Sequence, residues 1–233
     1  MHKVYRQFWS NEEIDDLFLL FDQRNDWKIM KTTSSTHDEA KSANTPELDK
    51  EFIDSYDKQA RIADGKTLQP QNIPDHFTTK LRKLLHNDWS EPTNIDSWYY
   101  MEPWTVNRYL GKTNGKFEWH QDTLDFFKYN SEDTAEDLFV KNLRPNREIS
   151  ISVALNDKRE YNNGDFTIDT GDGKKTPIDL DKGDMCIFTS NTFHSVEPVT
   201  GDGVRYALII WICDGDKHKE WNMHYGDNTN SGQ

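Results

Sequence analysis

Hydrophobic positions along this chain fall into two textures. Ser10 is followed three residues later by Glu13, the pairing of a capping box, and then by Ile14, Leu17, Phe18 and Phe21 at helical spacing, which predicts a helix over 11–23. Leu48, Phe52, Ile53 and Tyr56 suggest a second helix, and Phe77, Leu81, Leu84 and Leu85 a third that starts after Pro74. The stretch 32–45, rich in Ser, Thr, Asn and Asp, reads as an exposed loop. The first ninety residues therefore read as mainly helical. From Asp96 onward short runs of β-branched and aromatic residues alternate with Gly, Asn and Asp clusters. Strands are expected over 97–101, 105–110, 117–119, 148–155, 165–169, 176–180, 185–189, 194–199 and 205–213. Asn162-Asn163-Gly164 and Thr170-Gly171-Asp172-Gly173 supply turn residues that tolerate positive φ. The acidic segment 123–145 reads as an inserted loop near the mouth of any site. Many short strands at this spacing argue for a double-sheet jelly roll. The expected fold is α+β, mainly β: a double-stranded β-helix (jelly roll) core supported by N-terminal α-helices. One domain spans 1–233, divided into a helical support region (1–94), a jelly-roll catalytic core (95–213) and a C-terminal tail (214–233).

Composition narrows the partners. The 28 Lys and Arg face 41 Asp and Glu, a net charge of -13, which would repel a phosphate backbone, so no nucleic-acid partner is expected. The acidic balance favours a basic or neutral protein partner instead. Cys186 and Cys213 match no metal or redox spacing and read as buried fillers in a reducing compartment. Residues 1–10 lack a signal-peptide apolar stretch, and no apolar run approaches the roughly 18 residues of a membrane span, so the expectation is a soluble cytoplasmic protein without a membrane partner.

The chemistry begins at His120-Gln121-Asp122. On a strand or its exit, residues two apart point the same way, so the pair can grip one ion. Alone it is weak: with 8 His and 27 Asp the chain yields roughly one such pair by chance, and a second, His86-Asn87-Asp88, does occur. His86 falls in the last turn of a predicted helix, where a cation suits the dipole, whereas His120 lies between two strand segments. His194 sits after the apolar strand Met185-Cys186-Ile187-Phe188, and Arg205 opens the apolar run 206–212. Two imidazoles and one carboxylate are the ligand set of non-haem Fe(II) oxygenases. A charged residue heading such a strand is costly to bury without an anion, so Arg205 reads as a carboxylate clamp or, more plainly, as half of a structural ion pair.

In this order the segments resemble the Fe(II)- and 2-oxoglutarate-dependent dioxygenases, and within them the prolyl 4-hydroxylase-like branch. Asn107-Arg108-Tyr109, His120-Gln121-Asp122, Leu155-Asn156, Gly164-Asp165-Phe166, His194 and Arg205-Tyr206-Ala207 carry the likeness, which covers roughly 105–212. The resemblance implies that His120, Asp122 and His194 hold iron, with 2-oxoglutarate and O2 as cosubstrates and ascorbate as a candidate reductant. It implies that Arg205 holds the distal carboxylate of 2-oxoglutarate and that Tyr109 hydrogen-bonds this cosubstrate. Some relatives carry a second tyrosine where this chain has Ala154, which leaves Ser152 as a candidate helper of Arg205. Arg147 and Trp211 fall where prolyl hydroxylases line a peptide pocket. The implied activity is hydroxylation of an aliphatic C–H bond, foremost of proline in a peptide or protein. The open alternatives are a hydroxylase of a free amino acid or other small molecule, a nucleic-acid demethylase, and a non-catalytic metal-binding jelly roll.

Overall fold

The computed structural model describes residues 1–23, 26–30, 61–89, 100–123 and 147–213. The second predicted helix, the 32–45 loop, almost all of the 123–145 insertion and the 214–233 tail lie outside the described residues. Among the described residues of the first third there are two α-helices, α1 (Asn11–Asp22) and α2 (Asp75–Asp88). The capping box closes as its sequence predicts, with Glu13 N–H donating to Ser10 Oγ at 3.2 Å and Ser10 N–H to the Glu13 carboxylate at 2.8 Å.

Fifteen strands are described: β1 (His2–Tyr5), β2 (Lys28–Ile29), β3 (Arg61–Ile62), β4 (Asp64–Leu68), β5 (Tyr100–Met101), β6 (Trp104–Leu110), β7 (Lys116–His120), β8 (Arg147–Ala154), β9 (Asn162–Asn163), β10 (Phe166–Asp169), β11 (Lys175–Ile178), β12 (Met185–Thr189), β13 (His194–Val196), β14 (Val199–Thr200) and β15 (Val204–Cys213). A large sheet runs β1-β12-β8-β15-β6-β4-β2, with β5 against β15, and faces a smaller sheet ordered β11-β10-β13-β7-β3. All described pairings are antiparallel, as a jelly roll requires.

Period-2 alternation in the large sheet sorts side chains into two cores. Leu208, Ile210 and Ile212 of β15, Val106 and Trp104 of β6, and Ile149, Ile151 and Val153 of β8 face outward onto Ile14, Leu17, Phe21, Phe77, Leu81 and Leu85 of the two helices. Fully burying each such side chain contributes about 1.5–3 kcal/mol, which is why the helices stay on that face. The opposite face carries Arg205, Ala207, Ile209 and Trp211, Tyr109, Asn107 and Thr105, and Ser150, Ser152 and Ala154 across from them. This face looks toward the smaller sheet, where Tyr109 and Ala154 pack with Phe166, Ile168, Phe188 and Val196, and it carries more polar groups than the outer face; the space between the sheets is termed the chamber.

Two expectations need correction. The helical support region is not mainly helical among its described residues: β1, β3 and β4 belong to the sheets, and β2 pairs with β4. These strands are two to five residues long, and the outward position 66 of β4 is a buried lysine whose ammonium caps Phe21 O at 3.1 Å, so no apolar alternation announces them. The strand expected over 194–199 breaks at Glu197-Pro198, because proline cannot donate to a ladder. Val199 then leaves the smaller sheet to pair with Asn163.

Candidate active site

His194 on β13 pairs directly with His120 on β7, and Val196 pairs with Phe117. Three steps on β7 thus match two on β13, a β-bulge that turns both Phe117 and His120 inward. The chain then leaves the strand through Gln121 to Asp122, where the Asp122 and Thr123 N–H groups both donate to Ser190 O, at 2.9 and 3.0 Å. The spacing predicts a strand or its exit, and His120 ends β7 with Asp122 in the exit. The bulge and this exit turn are what aim the two side chains together.

The three side chains form the one His/Cys/Asp/Glu cluster of metal-binding geometry among the described residues, with one ligand atom from each within 4.8 Å of the others. His194 Nε2 lies 3.3 Å and His120 Nε2 3.7 Å from the Asp122 carboxylate oxygens. Two donors each about 2.1 Å from one ion at a right angle sit roughly 3 Å apart, so the set fits a metal with little movement. Each imidazole Nδ1 lies beside a backbone carbonyl two residues back: Glu118 O at 2.6 Å for His120 and Thr192 O at 3.0 Å for His194. A carbonyl only accepts, so Nδ1 carries the proton and Nε2 presents its lone pair inward. His120 Nε2 is buried and has no hydrogen-bond partner, so its lone pair is free to ligate a metal.

Electrostatics agree. Burial pushes His120 below its ordinary value, with His194 adding to the push, so the ring stays neutral and able to ligate. Burial alone would raise Asp122, but the two imidazoles beside it, His194 foremost, hold it well below the ordinary carboxylate range. Phe117 stacks on His120 at 3.6 Å, and Phe188 and Phe166 lie 4.7 and 5.9 Å from the His194 ring, giving the triad an apolar wall. The decoy pair does not converge: His86 and Asp88 are exposed on α2, and the Asp88 carboxylate accepts the Tyr5 hydroxyl at 2.9 Å.

Arg205 is buried on the face of the large sheet that looks toward the smaller sheet and lies over the Tyr109 ring at 5.4 Å; the two residues are paired across β15 and β6. Its Nη1 is buried with no partner, so a guanidinium edge is available to an anion. Asn156 holds the backbone on either side of Arg205, accepting Tyr206 N–H at 2.9 Å and donating to Val204 O at 2.9 Å. Gly164, at φ +70, lies against the Arg205 stem: a Cβ there would come within 3.4 Å of Arg205 Cδ and 2.6 Å of Val199. Leu155-Asn156 and the Gly164 hairpin therefore serve to fix one arginine. Ser152 does not reach it. It faces Ile209, four residues along β15, which is roughly 13 Å of strand from Arg205, so a helper role by direct contact is withdrawn. The Tyr109 ring stands beside Arg205 instead.

Arg147 and Trp211 come together. The guanidinium lies 3.7 Å from the Trp211 ring centroid and pairs bidentately with Glu102, at 2.7 and 2.6 Å. Glu102 and a further buried arginine, Arg61, were not anticipated. Arg61 Nη2 donates to Asn107 Oδ1 at 2.9 Å, and its guanidinium lies 4.5 Å from the Phe117 ring. Neither has a local signature: Glu102 precedes a proline between strands, and Arg61 sits on a two-residue strand.

Residues 104–213 match the sequence model of the 2OG-Fe(II) oxygenase superfamily. These residues form a 2OG-Fe(II) oxygenase domain. The superfamily takes its name from the metal and cosubstrate that the triad and Arg205 fit. Over 65 residues the chain is 37% identical to a PKHD-type hydroxylase of Alteromonas mediterranea, a match spanning 28% of each protein. The chain thus spans about 28% of the length of the curated relatives it matches. The fold is also that of solved prolyl hydroxylases. A viral collagen prolyl hydroxylase from Paramecium bursaria Chlorella virus-1, in a 2OG complex, superposes with a TM-score of 0.56 at 17% identity, over 91% of this chain and 95% of that one. A Trichoplax adhaerens prolyl hydroxylase, in complex with a hypoxia inducible factor peptide fragment, gives 0.61 at 13% identity, over 94% and 86%. The oxygenase domain holds His120, Asp122, His194 and Arg205 within its matched span, while Arg61 lies upstream of it. Among the described residues, no helix is long and apolar enough to cross a membrane.

Proposed function

We propose that the protein is an Fe(II)- and 2-oxoglutarate-dependent dioxygenase that hydroxylates an aliphatic C–H bond, with proline in a peptide or protein as its substrate. The observation that carries the reading is the convergence of His120 and His194 on Asp122 at 3.3–3.7 Å, together with a buried, unpartnered Arg205 nitrogen on the sheet face that looks toward them. His120 Nε2, His194 Nε2 and an Asp122 oxygen would hold Fe(II). When bound, the iron couples oxidative decarboxylation of 2-oxoglutarate by O2 to C–H hydroxylation, giving succinate, CO2 and the alcohol. Asp122 needs no proton at neutral pH, so it serves as an anionic ligand rather than as a base. Arg205, held by Asn156 and Gly164, would clamp the distal carboxylate, with Tyr109 beside it.

The peptide part of the reading rests on Glu102, Arg147 and Trp211. Trp211 is on the same inner face as Arg205 but six residues along β15, roughly 20 Å away, so this array is at the other end of the chamber from the cosubstrate clamp. An arginine locked flat over an indole offers a broad platform and N–H groups to an extended backbone. The prolyl hydroxylase neighbours support the same direction. Ascorbate as reductant and a cytoplasmic location belong to the proposal. The test is incubation with Fe(II), 2-oxoglutarate, O2 and proline-containing peptides. Succinate together with a peptide mass gain of one oxygen supports it. Succinate without peptide modification would point to a small-molecule substrate, and no succinate at all to a non-catalytic metal module.

A further inference from the structure

Arg61 is 6% exposed, has a guanidinium in the chamber, and has no carboxylate partner among the described residues. Burying a guanidinium is costly unless an anion compensates it, because its five N–H donors and its charge all lose water. The compensation found is slight. One nitrogen donates to the neutral Asn107 amide, the flat face rests on Phe117, and Nε is buried with nothing to bond. The nearby acids are committed: Glu102 holds Arg147 bidentately, and Asp122 is flanked by both imidazoles.

The position is specific. Arg61 pairs with Phe117 across β3 and β7, so the two side chains share the inner face, and Phe117 is stacked on His120. Asn107, its acceptor, stands one same-face step along β6 from Tyr109. Arg61 thus bridges the two sheets between the metal triad and the Arg205 clamp. It repeats the Arg205 arrangement: a buried guanidinium, an aromatic ring alongside, and a nitrogen without a partner. On the proposed function, 2-oxoglutarate brings one carboxylate to the metal and one to Arg205. Two unpartnered guanidinium edges call for one anion more.

We propose that Arg61 receives a carboxylate of the primary substrate, making this oxygenase selective for a substrate with a carboxylate near the oxidised carbon, supplied in a peptide by an Asp or Glu side chain. The inference rests on the dioxygenase reading but does not require proline as the target. Its test uses the full chain loaded with Mn(II) and 2-oxoglutarate, so that binding is read without turnover. The probes are amidated proline hexapeptides carrying Asp or its isostere Asn at each position in turn, together with propionate and propionamide. Broadening of probe proton resonances by Mn(II) reports binding near the metal. At one or more positions the Asp peptide should bind about tenfold more tightly than its Asn twin, the scale of one charge-assisted pair. Propionate should likewise outbind propionamide. Arg61→Gln, which keeps a donor for Asn107, should erase both preferences, and Arg61→Lys should keep part of them. The 2-oxoglutarate Kd should change by less than about threefold. Equal binding of acid and amide probes, or a preference that survives Arg61→Gln, overturns the proposal. So does a 2-oxoglutarate Kd raised tenfold or more in Arg61→Gln, which would assign Arg61 to the cosubstrate. Propionate selectivity lost in Arg61→Gln, with no peptide bound, would overturn the peptide reading and leave this one standing. Peptide oxidation indifferent to Asp or Asn would do the reverse.

Discussion

Replacing Arg205 by methionine separates a ligand clamp from a structural arginine. In the ligand-free protein the buried Nη1 has no partner, a desolvation cost of about 1–3 kcal/mol. Methionine removes that cost and keeps a flexible apolar stem beside Gly164, while it loses the contact over Tyr109, worth about 0.5–2 kcal/mol. The two nearly cancel, so the ligand-free melting temperature should hold or rise slightly. Binding of 2-oxoglutarate should suffer. A charge-assisted contact of about 3 kcal/mol corresponds to roughly a hundredfold in Kd. At 2-oxoglutarate of 100 times the wild-type Kd, linkage stabilises the native protein by about 2.7 kcal/mol, or roughly 5–10 °C in Tm for a chain of this size. The variant, near half saturation at the same concentration, should gain about 0.4 kcal/mol, roughly 1 °C. Thermal melts of Mn(II)-loaded protein with and without 2-oxoglutarate read both quantities. A ligand-free Tm lowered by more than about 5 °C, with the 2-oxoglutarate shift intact, would make Arg205 a structural ion and refute the clamp.

Asp122→Ala should remove the anionic ligand and cut Mn(II) affinity by more than the roughly 10–100-fold that loss of a mere supporting contact costs; equilibrium dialysis measures it, and unchanged affinity would relocate the metal. Leu81→Ala, in the helix-facing core, should cost about 2–5 kcal/mol in urea unfolding yet leave the 2-oxoglutarate Kd of the folded protein alone, since α2 packs on the face away from the chamber. Asp184 ties the amino-terminal segment to the turn before β12, accepting Gln7 N–H at 2.9 Å and Asp181 N–H at 3.1 Å, with the half-exposed Arg6 at 2.6 Å. Burial alone would raise its pKa, but these donors hold it below the ordinary value. A depressed carboxylate stabilises the fold above its unfolded pKa of about 3.9 and loses that contribution as pH falls through the folded value. Asp184→Asn should therefore cost about 1–3 kcal/mol at neutral pH, mostly from the backbone bonds because Arg6 is screened. The variant should also flatten the acid limb of stability below about pH 4; an acid limb identical to wild type would discount Asp184.

Legibility in the sequence followed the strength of local signals. The first helix was readable because periodicity and cap agree, and both capping-box bonds form. The strands at 185–189 and 205–213 were readable because one continuous apolar run cannot be mistaken for a loop, and the second gains only Val204 in the structure. The triad was readable once Arg205 stood beside it. What escaped was built by tertiary context. Lys66 is a buried lysine in a strand because Phe21 O and the Trp27 ring receive its ammonium, and no sequence window shows them together. The β7 bulge that turns His120 inward depends on its register with β13. Arg61 looks like an ordinary surface cation until β3 is paired with β7. Ser152 was misassigned for the complementary reason: the face was right, but position along the strand is invisible without register.

The most direct measurement is a crystal structure of the protein with Mn(II) and 2-oxoglutarate. The account predicts the ion held by His120 Nε2, His194 Nε2 and an Asp122 oxygen at about 2.0–2.2 Å, with the distal carboxylate of 2-oxoglutarate on Arg205 next to Tyr109. An ion at His86 and Asp88, or a cosubstrate whose distal carboxylate avoids Arg205, would contradict it.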